Sequence, residues 1–119
     1  MQGTLRIFEL SQACKNLENF IHISTAYTNC DRKGYIEEEI YNSEQDSQGM
    51  INQFLAMHPD DLEKNTKKIL GKFPNTYVFT KGLVERILKK RRSNNMTVSI
   101  VRPTVIGAAF REPYAGNLI

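Results

Sequence analysis

Two short runs rich in β-branched and aromatic residues, Phe20–Ser24 (FIHIS) and Thr97–Val101 (TVSIV), constrain this chain more than any other feature. Both have the length and composition of strands. Helical segments lie between them, and strands that alternate with helices give a parallel sheet with right-handed crossovers. The expected fold class is α/β: a parallel sheet of about two strands with flanking helices, fewer strands than a stable doubly wound sheet needs. In such sheets ligands bind beyond the carboxyl ends of the strands. Here those ends are Ser24/Thr25 and Arg102–Ile106.

The helices are read from spacing and punctuation. Residues 4–16 read as a helix, with Leu5, Phe8 and Leu17 at helical spacing and Ile7 and Leu10 widening the face. Residues 29–48 are polar and broken by Gly34, Asn42 and Ser43, which predicts a long surface excursion with little core. Helices are expected over Met50–Met57 and over Pro59–Leu70, where Pro59 suits a first turn and Asp60 and Asp61 complement the helix N-terminus. Gly71 should stop that helix. A longer helix, Tyr77–Arg92, ends in Lys89-Lys90-Arg91-Arg92, where cations favour the helix dipole. Thr97–Val101 reads as a buried strand.

Composition narrows the classes. The chain is 40% hydrophobic, and its 16 basic and 13 acidic residues leave a net charge of +3. That balance keeps the chain soluble and is no nucleic-acid signature. At 119 residues it makes one small domain with a modest core. No apolar run approaches the ~18 residues of a membrane helix, and no signal peptide is read at the N-terminus. Cys14 and Cys30 match no zinc or thioredoxin spacing, so they read as buried or incidental thiols in a reducing compartment. Asn95-Met96-Thr97 fits a glycosylation acceptor, a three-residue match without meaning in a cytosol-facing chain.

The pattern that carries chemistry is Tyr77-Val78-Phe79-Thr80-Lys81. Tyr77 and Lys81, four apart, share one helix face within side-chain reach. A free tyrosine titrates near ~10 and is a poor proton donor or acceptor at neutral pH. A neighbouring ammonium favours its phenolate, which makes such a pair a proton-transfer unit. Ser24 and Thr25 place hydroxyls at a strand end, where one could hydrogen-bond a carbonyl oxygen as charge develops on it. Alone the spacing is equally that of an amphipathic helix whose lysine snorkels. The ordered set weighs more: hydroxyl-rich strand end, Tyr-x-x-x-Lys helix, strand ending in Arg102-Pro103.

That set resembles the extended short-chain dehydrogenase/reductase superfamily, and within it the fatty acyl-CoA reductases. The matching stretches are His22-Ile23-Ser24-Thr25-Ala26-Tyr27, Pro74-Asn75-Thr76-Tyr77-Val78-Phe79-Thr80-Lys81 and Val101-Arg102-Pro103-Thr104-Val105-Ile106-Gly107-Ala108, with Arg111-Glu112-Pro113-Tyr114 in the tail. Weaker agreement lies in Gly3-Thr4 and Glu39-Ile40-Tyr41. The resemblance implies a partial Rossmann-like fold, with residues 1–119 forming part of an NAD(P)-binding reductase domain. It implies Tyr77 as the acid that protonates the substrate carbonyl, and Lys81 as the group that assists Tyr77 and binds the nicotinamide ribose. Thr25, with Ser24 as the alternative, would be the catalytic hydroxyl. Pro103, Thr104 and Val105 would approach the nicotinamide ring. The implied reaction is reduction of a long-chain fatty acyl-CoA by NADPH to an aldehyde and then a primary alcohol. A cytosol-facing position is implied, with the parent enzyme at the peroxisome or endoplasmic reticulum.

The departures are as informative. The family's Gly-x-x-Gly-x-x-Gly loop, which cradles the cofactor pyrophosphate at a helix N-terminus, has no counterpart here. Met1 is open to being an internal methionine, and the chain reads as a piece of a longer enzyme. Gly116 is followed by Asn117 where the family has an aromatic residue. A carrier-bound thioester reductase, or a sugar- or steroid-type dehydrogenase of the same superfamily, stays open as the parent. So does a non-catalytic remnant binding a partner through open apolar faces. Among other residues, His22 reads as a satisfied structural histidine and His58 as a solvent-facing neighbour of a helix cap. Glu37-Glu38-Glu39 reads as a solvated acidic loop without the histidine partners of a metal site, and Phe73 and Phe79 as core.

Overall fold

A computed structural model of the chain describes residues 1–41, 46–93 and 96–116. The elements run α1 (Gln2–Gln12), β1 (Asn19–Ile23), a 3-10 turn (Ala26–Asn29), α2 (Ser47–Ala56), α3 (Pro59–Leu70), α4 (Thr76–Arg91) and β2 (Thr97–Val101). β1 and β2 pair in parallel, with Asn19 opposite Thr97 and Ile23 opposite Val101. The fold is a two-stranded parallel α/β sheet with flanking helices, as the alternation of strands and helices predicted, and is consistent with the partial Rossmann-like fold that the resemblance implied.

Short polar side chains set the helix starts. Asp46 caps α2 by accepting from the Gln48 and Gly49 amides at 3.2 and 3.0 Å. This cap starts α2 three residues before the expected Met50. Asn75 caps α4 through the Val78 amide at 3.0 Å. His58 is itself the cap of α3, Nδ1 accepting from the Asp60 amide at 3.4 Å. α3 has the predicted bounds because Pro59 sits in its first turn and Gly71, at φ 56°, takes a backbone conformation that side chains disfavour.

α4 is the hub. Val78, Phe79, Leu83, Val84, Ile87 and Leu88 are all buried. Val84 and Leu88 pack with Phe8 and Met96, supported by Met1, Phe20 and Val98. Ile87 packs with Leu5 and Ile51, again against Met1. Phe79 stacks edge-on to Phe73 and tilts against Phe54, with centroids 5.5 and 6.2 Å away. The basic end of α4 is engaged in tethering. Lys89 donates to the Ile40 carbonyl, Lys90 lies 3.9 Å from Asp46, and Arg91 reaches Glu9 at 2.6 Å and Gln48 at 2.7 Å.

Three expectations are corrected. α1 stops at Gln12 instead of residue 16, because the Ala13 and Cys14 amides turn back to the Leu10 and Ser11 carbonyls. Leu17 therefore falls outside the helix, and Ile7 and Leu10, at 61% and 68% exposure, form no part of the core. β2 is half-exposed, since the helices cover one sheet face while Ile21, Ile23 and Val101 stay open on the chain's surface. Of the two readings for Cys14 and Cys30, buried or incidental, the second fits: both are free and exposed. The excursion is irregular and mostly exposed over 30–41, as expected. Asn42, Ser43, Asn95 and Asn117 lie outside the described residues. No helix among the described residues is long and apolar enough to cross a membrane.

Candidate active site at the carboxyl ends of the strands

The extended chain continues past both strands. The Ser24 amide donates to the Val101 carbonyl at 2.7 Å, and the Ala26 amide to the Pro103 carbonyl at 3.0 Å. Ser24–Ala26 and Arg102–Pro103 are thereby zipped side by side. Successive residues of an extended strand point to opposite faces, so Ser24 projects with Phe20 and His22, and Thr25 away from them. Both hydroxyl residues are only 3% exposed. Thr25 Oγ1 accepts from the Tyr27 amide at 3.4 Å and caps the 3-10 turn. Its own O–H remains available to donate. Ser24 Oγ is buried without a hydrogen-bond partner.

Lys81 joins α4 to this strand end. Its Nζ donates to the Ile23 carbonyl at 2.8 Å and lies 5.8 Å from the centre of the Tyr77 ring. An ammonium carries three donors, so anchoring on Ile23 leaves others for a ligand. Tyr77, one helical turn before Lys81, is 54% exposed, and Thr104 and Val105 are exposed as well. The structure thus brings Ser24, Thr25, Lys81 and Pro103 to one end of the sheet, with Tyr77 on the exposed rim of the same helix.

Gly82 lets the 3-10 turn close on α4. A Cβ there would sit 3.5 Å from the Thr28 carbonyl oxygen, an ordinary contact. Gly82→Ala should therefore be neutral or stabilise by up to ~1 kcal/mol, since alanine suits a helix interior better. The branched Gly82→Val should cost about 1–3 kcal/mol by forcing the turn off the helix. Denaturant unfolding of both variants checks this contrast.

Two residues take roles the sequence reading missed. Glu85, one turn beyond Lys81, is 2% exposed and forms a fork with Arg102: Nε to Oε1 at 3.0 Å and Nη2 to Oε2 at 2.6 Å. Arg102 also donates to the Glu39 carbonyl at 3.0 Å. The hydrogen bond that Arg102 donates to Glu85 raises the Arg102 pKa above its ordinary value, so the guanidinium stays charged. The signal was present as Glu85, in step with Tyr77 and Lys81 and beside Arg86 inside the otherwise apolar stretch Gly82–Leu88.

His22 is the second. It is buried as expected, but its Nε2 has no partner, so it is not the satisfied histidine the strand suggested. Burial, then the Lys81 charge, lowers its pKa below the ordinary 6.5, and His22 stays neutral in the fold. The unfolded chain takes up a proton at higher pH than the folded one does. Stability is therefore full above 6.5 and is lost as pH falls from there towards the folded pKa. Tm measured from pH 7.5 downward should show this loss, and His22→Phe, which has no titrating ring, should remove it.

The nicotinamide end of a dinucleotide fits these residues: a fixed ammonium with spare donors, an orphaned buried hydroxyl beside it, and an exposed apolar segment at Val105. A glycine-rich loop at a helix N-terminus, suited to a pyrophosphate, is not found among the described residues.

Comparison with known proteins identifies the family. A family model for an NAD-binding family described as "Male sterility protein" matches residues 1–118. Fatty acyl-CoA reductase 1 of Xenopus laevis is 40% identical over 114 residues, covering 96% of this chain and 22% of the relative. Fatty acyl-CoA reductase 1 of Homo sapiens is 38% identical, and fatty acyl-CoA reductase 2 of Mus musculus 37%, with the same coverage. The chain thus spans 22% of the length of these relatives. No solved structure matches the chain.

Proposed function

Because the chain belongs to the male sterility protein family of NAD-binding domains, we propose that residues 1–119 form the catalytic part of an NAD(P)-binding reductase domain. The parent activity is NADPH-dependent reduction of a long-chain fatty acyl-CoA to the fatty alcohol through the aldehyde. The observation that carries this reading is Lys81, hooked on the Ile23 carbonyl at 2.8 Å where both strands end and one turn from Tyr77. The resemblance to fatty acyl-CoA reductases supplies the substrate and the choice of NADPH.

Each residue has a task in this reading. Tyr77 delivers a proton to the substrate carbonyl oxygen from the exposed rim of α4. Lys81 holds the ribose hydroxyls with the donors that Ile23 leaves spare, and its charge assists the tyrosine. Thr25 donates its hydroxyl to the same carbonyl oxygen, with Ser24 as the alternative donor. Pro103, Thr104 and Val105 lie along the nicotinamide ring. When bound, the nicotinamide supplies the hydride. One hydride and one proton convert the thioester to aldehyde and free CoA thiol; a second pair gives the alcohol. The reading carries a cytosol-facing position, with the parent enzyme at the peroxisome or endoplasmic reticulum.

The test is NADPH consumption by the full-length protein containing this segment. Long-chain acyl-CoA should be turned over, with fatty alcohol found by mass spectrometry and NADH a poorer donor. Turnover of carrier-bound acyl groups or nucleotide sugars in place of acyl-CoA would move the parent elsewhere in the superfamily. No turnover with any of them would remove the enzyme reading.

A further inference from the structure

Three residues in step along α4 face the functional end of the sheet: Tyr77, Lys81 and Glu85, each four apart. Lys81 ties the helix to the end of β1 through Ile23, and Glu85 ties it to the end of β2 through Arg102. Arg102 directly precedes Pro103, whose carbonyl accepts from the Ala26 amide next to Thr25. A helix fixed at one point can still slide or roll against a sheet. Fixed at two points one turn apart, on two different strands, it cannot.

The Glu85–Arg102 contact is suited to that task. A forked guanidinium–carboxylate pair has a defined distance and a defined plane. Both side chains are largely out of water, Glu85 at 2% and Arg102 at 16% exposure, so solvent offers little alternative. A third bond, from the same Nη2 to the Glu39 carbonyl, adds a second anchor for the guanidinium. Stability alone is a poor account of such a pair, because a well-packed apolar pair of similar volume is often at least as stable.

We propose that Glu85 and Arg102 are positioning residues that set the separation between Lys81 on α4 and the Pro103–Val105 segment, and so the width of the place where the nicotinamide end is held. This rests on the reductase reading for its effect on nucleotide binding, but not for its effect on the backbone. The pair acts through Lys81 and Pro103 and touches no reacting atom.

The test uses the full-length protein with Glu85→Met/Arg102→Met, which removes both charges together, and Arg102→Lys, which keeps both charges but loses the fork. The double variant should keep a Tm close to wild type. Hydrogen exchange in the nucleotide-free protein should accelerate about tenfold at the Ala26 amide, and KM for NADPH should rise about tenfold with KM for acyl-CoA unchanged. Arg102→Lys should move both readouts the same way by less. A folded double variant with wild-type exchange and wild-type KM overturns the proposal. If the double variant does not fold, wild-type values in Arg102→Lys overturn it. Wild-type turnover of acyl-CoA is measured alongside: its absence sinks the reductase reading, while the exchange result still decides the positioning role.

Discussion

Tyr77→Phe in the full-length protein should lower kcat about 10²–10⁴-fold, the usual worth of a positioned general acid. The substitution removes one oxygen and keeps the ring. Because the side chain is 54% exposed at the start of α4, the fold should not respond, and stability should stay within about 0.5 kcal/mol of wild type. Lys81 remains anchored on Ile23 without the phenol. Nucleotide affinity should therefore change far less than kcat, and the contrast between the two identifies Tyr77 as the proton donor. Steady-state kinetics with acyl-CoA and a parallel NADPH titration supply both numbers. A kcat within a few-fold of wild type would remove Tyr77 from the chemistry.

Phe8→Ala should be the most damaging change to the fold, costing about 3–5 kcal/mol. Phe8 is completely buried and meets Phe20 edge-on, with centroids 5.1 Å apart. It also packs with Val84, Leu88 and Met96, so one ring joins α1, β1, α4 and the approach to β2. The core is small, and among the described residues no second layer covers the open sheet face. Denaturant unfolding should show the loss directly. Ile7→Ala, on the exposed side of the same helix, serves as the control and should stay within about 0.5 kcal/mol.

Much of the fold was legible because local chemistry decided it. β-Branched residues drew the two strands, and Pro59 and Gly71 bounded α3 without help from tertiary contacts. α1 was misjudged because periodicity reports which residues are apolar, not which are covered. Ile7, Leu10 and Leu17 match a helical stripe, but all three stay at the surface of the described residues. The open face of β2 has the same origin.

The site divides in the same way. Tyr77, Lys81, Ser24 and Thr25 were read as candidates from spacing and order, and the structure brings the strand-end hydroxyls and Lys81 to one end of the sheet. Glu85–Arg102 could not be found so, because the pair spans two elements and seventeen positions of sequence. Only the fold makes it a contact. The unpartnered nitrogen of His22 was likewise invisible, since a strand histidine gives no sign of whether its ring finds a partner.

The central claim is that Tyr77 and Lys81 divide the work, one delivering a proton and the other holding the nucleotide. The most direct test is calorimetric titration of NADPH into the full-length wild-type protein, Tyr77→Phe and Lys81→Met. The account predicts wild-type-like affinity for Tyr77→Phe, and a loss of about 10–100-fold for Lys81→Met, the worth of charged hydrogen bonds to the ribose. If Lys81→Met binds NADPH as tightly as wild type, Lys81 does not hold the nucleotide and the account is contradicted.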